Sequence, residues 1–333
     1  MLQWRQEPAP DAISICKGQR CLRDSFFLPS LFFPSTRDLC ISKRLGLVLY
    51  SWYNRKMKRD ETVIPKRRLG KTGVEVSILG LGGEGVLRSF GNARIADSLI
   101  NTAIDLGVNY FDSARVYGDS EAYYGAALKG RRDKVFLASK SHARDRKTAE
   151  QHLKETLANM KTGHLDLWQI HDVRTEDELK EIFGPSGAIE AFVDAKEKGL
   201  VRFIGITGHH DPAVLKKALE LYAFDTVLIP VNPAEPSYKC FVEEIVPVAS
   251  AKDIGVIGMK TYLRGHLDAP KKLLFCYALT QPISTAVIGC DDVEQLKENA
   301  GIAAGFFPLK LKELQHTTQL VAPYARDLMY YKP

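Results

Sequence analysis

Asp112, Tyr117, Lys140 and His171 stand at intervals of 5, 23 and 31 residues along the chain. Reducing a carbonyl with hydride leaves developing negative charge on oxygen, and at neutral pH that oxygen must receive a proton. A phenol is a poor acid for this purpose, because its reference pKa is near 10 and burial raises it further. It therefore needs a cation beside it. One ammonium about 4 Å away, at an effective dielectric near 20, is worth roughly 4 kcal/mol, or about three pKa units. Lys140 alone could supply this to Tyr117. The segment before it, Val135-Phe-Leu-Ala, is apolar and has no structural use for an unpaired ammonium, so the lysine needs a counter-charge, which Asp112 can provide. Taken singly, Tyr117 reads as packing, Lys140 as a solvated strand end and His171 as a satisfied polar residue. Their joint spacing, at or just after the ends of successive strands, favours a site.

The elements that must position these residues are short runs rich in Val and Ile alternating with amphipathic helices, the pattern of parallel βαβ units. A β-hairpin is predicted over residues 67–76, with Gly70 and Gly73 at its turn, leading into a first buried strand at 76–81 and a helix at 93–106. Further strands are predicted at 109–112, 135–140, 165–171, 203–207, 226–231, 255–259 and 284–288. Helices are predicted at 149–160, 241–251, 271–279 and 293–303. About eight strand–helix pairs close a (β/α)₈ barrel of one domain, residues 63–330, whose active face collects the strand C-termini. A doubly wound open sheet would need a glycine-rich phosphate loop after the first strand. Gly80, Gly82, Gly83 and Gly85 do not form one in register, and no acidic ribose binder follows at a second strand end. These glycines suit close backbone approach at a barrel mouth.

Composition excludes other classes. The 333 residues carry a formal net charge of +6, but nine Lys and Arg against four Asp and Glu fall in residues 1–56. The rest holds 37 against 36, so no footprint for nucleic acid remains. The six cysteines, at 16, 21, 40, 240, 276 and 290, form no CxxC pair or Cys–His cluster, so no metal is expected and a reducing compartment fits. The apolar run 45–53 is too short to span a membrane, so a cytoplasmic protein without membrane attachment is expected. Residues 1–56 show neither helical nor strand period. A presequence, a flexible extension, and upstream sequence before a start at Met57 are the three readings, the last favoured because the coherent pattern follows Met57 directly.

The segment 109–121 (NYFDSARVYGDSE), with Leu137-Ala-Ser-Lys140 and Leu167-Trp-Gln-Ile-His171, resembles the strand-two, strand-three and strand-four motifs of the aldo-keto reductases, over about residues 64 to 305. The resemblance implies that Tyr117 is the proton donor, that Asp112 keeps Lys140 charged and oriented, and that His171 hydrogen-bonds the substrate oxygen. It also implies NADP(H) across the barrel mouth, against Gly83, Thr207, Gly208, Asn232, Met259 and Lys260, with Gly289, Cys290, Gln295, Glu298 and Asn299 at the adenosine end. Three departures stand out. Thr207-Gly208 replaces the usual Ser-Asn, Leu228 the usual glutamine, and Met259 the stacking tyrosine; Asn232, His209 or the Met259 thioether compensates. Met259-Lys260 resembles a subgroup of predicted oxidoreductases in the family, with Lys260 expected near a cofactor phosphate. Asp291 and Asp292 lie where many members carry Lys or Arg for the 2′-phosphate, which keeps NAD(H) open beside the favoured NADP(H).

Two other functions fit the same residues: a nucleotide-binding redox sensor or regulatory subunit, and a Schiff-base aldolase or lyase using Lys140. The loops after strands one, four and seven hold few aromatics beyond Phe90 and Tyr262, which favours a small aldehyde, ketone or sugar-derived carbonyl as substrate. The oligomeric state is not legible.

Overall fold

Residues 63–333 are described by the computed structural model; the expectations for residues 1–56 lie outside them. A hairpin, β1 (Lys66–Arg68) and β2 (Glu75–Ser77), precedes eight parallel strands: β3 (Leu79–Gly85), β4 (Tyr110–Asp112), β5 (Phe136–Ser141), β6 (Leu165–Ile170), β7 (Val201–Thr207), β8 (Thr226–Pro230), β9 (Gly255–Met259) and β10 (Thr285–Cys290). They close in sequence order, β10 pairing with β3, into the expected (β/α)₈ barrel.

The helices between them are α1 (Ala93–Asp105), α2 (Ser120–Ala127), α3 (Arg146–Asn159), α4 (Glu176–Phe183), α5 (Ala188–Glu197), α6 (Pro212–Leu221), α7 (Phe241–Ala251), α8 (Lys271–Thr280) and α9 (Val293–Ala304). After them come α10 (Leu311–Val321) and α11 (Ala325–Leu328). The helices α1 to α9 present apolar faces to the outside of the barrel, so the main core is a ring between strands and helices, while α11 packs in a separate cluster with Ala234, Leu263 and Val321. The barrel interior is a smaller cluster of Tyr110, Phe136, Ala138, Leu167, Leu228 and Ile257, floored by Leu69 and Val76 of the hairpin segment. Gly70 makes this floor possible. It has a φ of 49°, and a Cβ there would lie 2.2 Å from the Gly255 nitrogen.

One boundary differs in kind from expectation. The run 76–81 is not one strand: Val76 belongs to the hairpin, paired with Arg67, and the barrel strand begins at Leu79. The strands are parted by a bend at Ile78, where the Ser77 hydroxyl donates to the Leu79 carbonyl and the Ile78 N–H to that of Pro65. Burial on both sides of the bend hides it from a hydrophobic pattern. At the other end β10 runs on to Cys290, with a register irregularity between Ile288 and Cys290. Among the described residues no helix is long and apolar enough to cross a membrane.

Candidate active site

Side chains alternate along a strand, so residues two apart share a face. Tyr110 and Ala138 fill the barrel, and Asp112 and Lys140 follow them one layer higher, as Gln169 follows Leu167. Lys140 is 1% exposed and Asp112 3%. Their ion pair is therefore dry. The Lys140 ammonium donates to Asp112 Oδ1 and, at 2.7 Å, to the Ser113 carbonyl, while Gln169 Nε2 donates to Asp112 Oδ2 at 3.1 Å. Burial pushes the Asp112 carboxyl up, against the pull of Lys140.

Tyr117 lies on the loop after β4, half-buried, with its N–H bonded to the Ala114 carbonyl. Gly118 lets that loop close onto the segment after β3: its φ is 42°, and a Cβ would stand 2.1 Å from the Arg88 carbonyl oxygen. The phenol ring is bracketed by cations, Lys140 Nζ at 5.0 Å and Arg88 Cζ at 5.2 Å from its centroid. The His171 ring meets it edge-on, with centroids 5.8 Å apart. His171 is set by its N–H to the Ser141 carbonyl at 2.9 Å, and its own carbonyl accepts from Arg144 at 3.0 Å. Burial and the nearby Lys140 charge hold its pKa well below the ordinary value, so it is a neutral imidazole at pH 7. The four residues thus share one mouth of the barrel.

The expected lowering of the Tyr117 pKa does not occur in this geometry. The phenol is pushed well above its ordinary value, by burial first and then by the Glu84 and Asp112 carboxylates, with Arg88 opposing. Lys140 directs its hydrogen bonds to Asp112 and Ser113, and the carboxylate cancels most of its field at the ring.

The residues assigned to the cofactor divide. Lys260 follows β9 with a φ of 61° and a half-buried ammonium 5.5 Å from the Tyr330 ring and 5.9 Å from that of Tyr331; burial lowers its pKa. Met259 sits at the end of β9, against the barrel interior with Leu228. Thr207 is buried, accepting from the Asp172 N–H at 3.1 Å, and a Cβ on Gly208 would meet the Val173 carbonyl at 2.8 Å. Gly83 is packed against β4 and α2: a Cβ there would lie 2.4 Å from Ser120 Oγ and 2.9 Å from the Asp112 carbonyl. Gly289 is exposed at the end of β10, and a Cβ on it would stand 2.8 Å from the Glu84 backbone. Cys290 is buried, and burial pushes its thiol up to about 11; its Sγ accepts from Asn299, whose Oδ1 accepts from Tyr262 at 2.7 Å. Gln295 bonds Asp291 and the cap residue Asp292, and Glu298 pairs with Lys271 at 2.6 Å.

Asn232 is already engaged. It donates at 2.8 Å to the Tyr331 hydroxyl, which donates to Glu235 at 2.7 Å; the Lys332 ammonium completes the group at 2.9 Å from Glu235 and donates to the Tyr238 and Lys239 carbonyls. Sequence reading missed this C-terminal strap over the mouth, as well as Gln169, Arg88 and Arg144. Gln169 was recoverable, being two residues before His171 on one strand face. The strap was not, since its contacts join residues more than 90 apart in sequence.

Comparison with known proteins agrees with this fold. The aldo/keto reductase family matches residues 79–274. The uncharacterized oxidoreductase YqkF of Bacillus subtilis is 26% identical over 311 residues, covering 76% of this chain and 97% of that protein. L-galactose dehydrogenase of Arabidopsis thaliana is 27% identical over 72% of this chain and 88% of its own. Among solved structures, the holo form of an aldo-keto reductase from Bacillus halodurans superposes with a TM-score of 0.66 at 25% identity, over 77% of this chain and 96% of that one. A Klebsiella pneumoniae aldo-keto reductase in complex with NADPH has the same fold, with a TM-score of 0.65 at 20% identity, covering 78% and 96%.

Proposed function

The chain belongs to the aldo/keto reductase family and is an oxidoreductase, and from that premise we propose that it reduces a small aldehyde or ketone, with Tyr117 handing the proton to the carbonyl oxygen. The observation that carries this reading is the buried Lys140–Asp112 pair beneath the Tyr117 ring, with the neutral His171 at the ring's edge. A structural ion pair has no need of a phenol and an imidazole on one open mouth.

The residues present fit a nicotinamide nucleotide. Leu228 and Met259 offer an apolar floor from β8 and β9, and Lys260 and Arg264 on the loop after β9, with Arg88 after β3, supply positive charge from two loops. NADP(H) is the first choice, as in the Klebsiella protein solved with NADPH. The bound nucleotide supplies the hydride. His171, uncharged, has an N–H to donate to the substrate oxygen. Tyr117 remains a neutral phenol across the physiological range, which is the form a proton donor needs. As hydride arrives the oxygen gains alkoxide character and becomes basic enough to draw the proton from the neutral phenol beside it. Asp112 fixes the position of the Lys140 ammonium, which faces the ring and lends the phenolate left behind only the part of its field that the carboxylate does not cancel.

The Schiff-base alternative is disfavoured because the Lys140 amine is held by a carboxylate and a carbonyl and is 1% exposed. The reading is tested by following NADPH consumption with a panel of small aldehydes, alongside NADPH binding by fluorescence. Turnover lost in Tyr117→Phe with binding kept supports it. Binding without turnover in the unmodified protein would instead favour the redox-sensor alternative.

A further inference from the structure

A second constellation lies at the same barrel mouth, on the loops after β6 and β7. Asp172 directly follows His171, and His209 and His210 directly precede Asp211, whose carboxylate caps α6. One potential ligand atom from each of Asp172, His209 and His210 lies within 4.8 Å of the other two.

Two features set this group apart from a chance cluster. The first is the Asp172 carboxylate. Arg174 takes Oδ2 with two hydrogen bonds, at 2.8 and 2.6 Å, while Oδ1 is buried and has no hydrogen bond. The backbone holds it there in the left-handed region, φ 52°, through the N–H to Thr207. The second is the facing histidine. His209 Nδ1 lies 3.3 Å from the Tyr331 carbonyl, which only accepts, so Nδ1 carries the ring proton. Its Nε2 stands 3.0 Å from Asp172 Oδ1 without making a hydrogen bond. Two lone pairs at that distance repel unless a proton or a metal ion joins them, and the spacing is close to the roughly 3.3 Å between ligand atoms on a tetrahedral zinc ion with bonds of about 2.0–2.1 Å. A backbone carbonyl behind a histidine ring is also the usual outer support of a metal-binding imidazole.

We propose that Asp172 Oδ1, His209 Nε2 and a His210 ring nitrogen form a divalent transition-metal site. Imidazoles with one carboxylate suit Zn²⁺ and its neighbours over Mg²⁺ or Ca²⁺, which prefer all-oxygen sets. The His210 ring is half-exposed and stacked 5.0 Å from that of His209, so it can turn inward to complete the set. Three protein ligands leave the fourth position to water or a small oxygen donor. Arg174 and Lys260 are the cations that oppose occupancy, Arg174 by holding the other carboxylate oxygen. No metal-binding pattern is visible along the chain because the ligands come from two segments 37 residues apart without cysteine.

The test uses Co²⁺ with the full chain, read by its visible ligand-field bands and by equilibrium dialysis, with Zn²⁺ as competitor. One Co²⁺ per chain in a tetrahedral or five-coordinate spectrum, displaced by Zn²⁺, is expected. His210→Ala, a half-exposed change that leaves the fold intact, and Asp172→Asn weaken binding by at least about tenfold, while Arg174→Gln tightens it. His142→Ala, at the separate His142–His152 pair, leaves it unchanged. Absence of stoichiometric binding, or equal binding by the His210→Ala protein, overturns the proposal. None of these readouts depends on reductase activity.

Discussion

Replacing Asp112 with asparagine separates the two jobs of the buried pair, holding Lys140 and cancelling its charge at Tyr117. The substitution is close to isosteric, and the amide it introduces has a partner waiting: Gln169 Oε1 is buried without a hydrogen bond, and a flip of the Gln169 amide turns it to accept from the new N–H. What is lost is the negative charge. The Lys140 ammonium, 5.0 Å from the Tyr117 ring centroid, then acts uncancelled, and at an effective dielectric near 20 that is worth about 3 kcal/mol, or roughly two pKa units. Solvent at the half-buried phenol makes this a ceiling. Removal of Asp112 also takes away a carboxylate that itself raises the phenol. Asp112→Asn is therefore expected to move the alkaline limb of the kcat profile for reduction about one to two pH units lower, since the donor is lost once the phenol ionises. Breaking one side of a buried pair should also cost about 3–5 kcal/mol of stability. The assay is kcat against pH at saturating nucleotide, with a urea melt on each protein. An alkaline limb at the same pH in both proteins refutes the electrostatic argument.

The strap should be a stability element. Lys332→Met leaves the buried Glu235 carboxylate without its ion-pair partner, at a cost of about 3–5 kcal/mol, and Glu235→Gln combined with it recovers part of that, both read from urea midpoints. His142 and His152, with ring centroids 4.7 Å apart, both have lowered pKa values through burial, His142 also repelled by Arg144 and Arg115 and His152 by His142 and Arg115. The unfolded chain then binds protons that the folded one does not, so stability is intact above about pH 6.5 and falls as the pH drops below it; a His142→Gln/His152→Gln protein should show a flatter dependence between about pH 6.5 and 5. Asp291→Arg should raise the NADPH-over-NADH ratio of kcat/KM, the unmodified protein discriminating weakly because Asp291 and Asp292 repel a 2′-phosphate.

The barrel was legible because its signal is local. Alternating apolar strands and amphipathic helices need no distant information, and β9 and α7 begin and end where the pattern placed them. That Asp112, Tyr117, Lys140 and His171 would come together was legible for a related reason, since strand ends in a barrel converge on one mouth. What could not be read was the third dimension of that mouth. The cancellation of Lys140 by Asp112 at the phenol depends on which atom each hydrogen bond reaches. The Glu235–Lys332–Tyr331 anchor joins the last residues of the chain to the loop after β8, and Asn232, assigned to the cofactor from its position, holds that anchor. The split between β2 and β3 escaped detection because Val76 and Leu79 are both buried, on either side of the bend at Ile78.

The most direct measurement is a single turnover of Tyr117→Phe. The protein preloaded with NADPH is mixed with a substrate aldehyde, and loss of nicotinamide absorbance is followed beside the unmodified protein. Removing the proton donor should slow this phase by about 10²–10⁴-fold while the NADPH affinity stays within about twofold, well under the 1.4 kcal/mol of a tenfold change. A Tyr117→Phe protein that consumes NADPH at the unmodified rate would show that the proton comes from elsewhere.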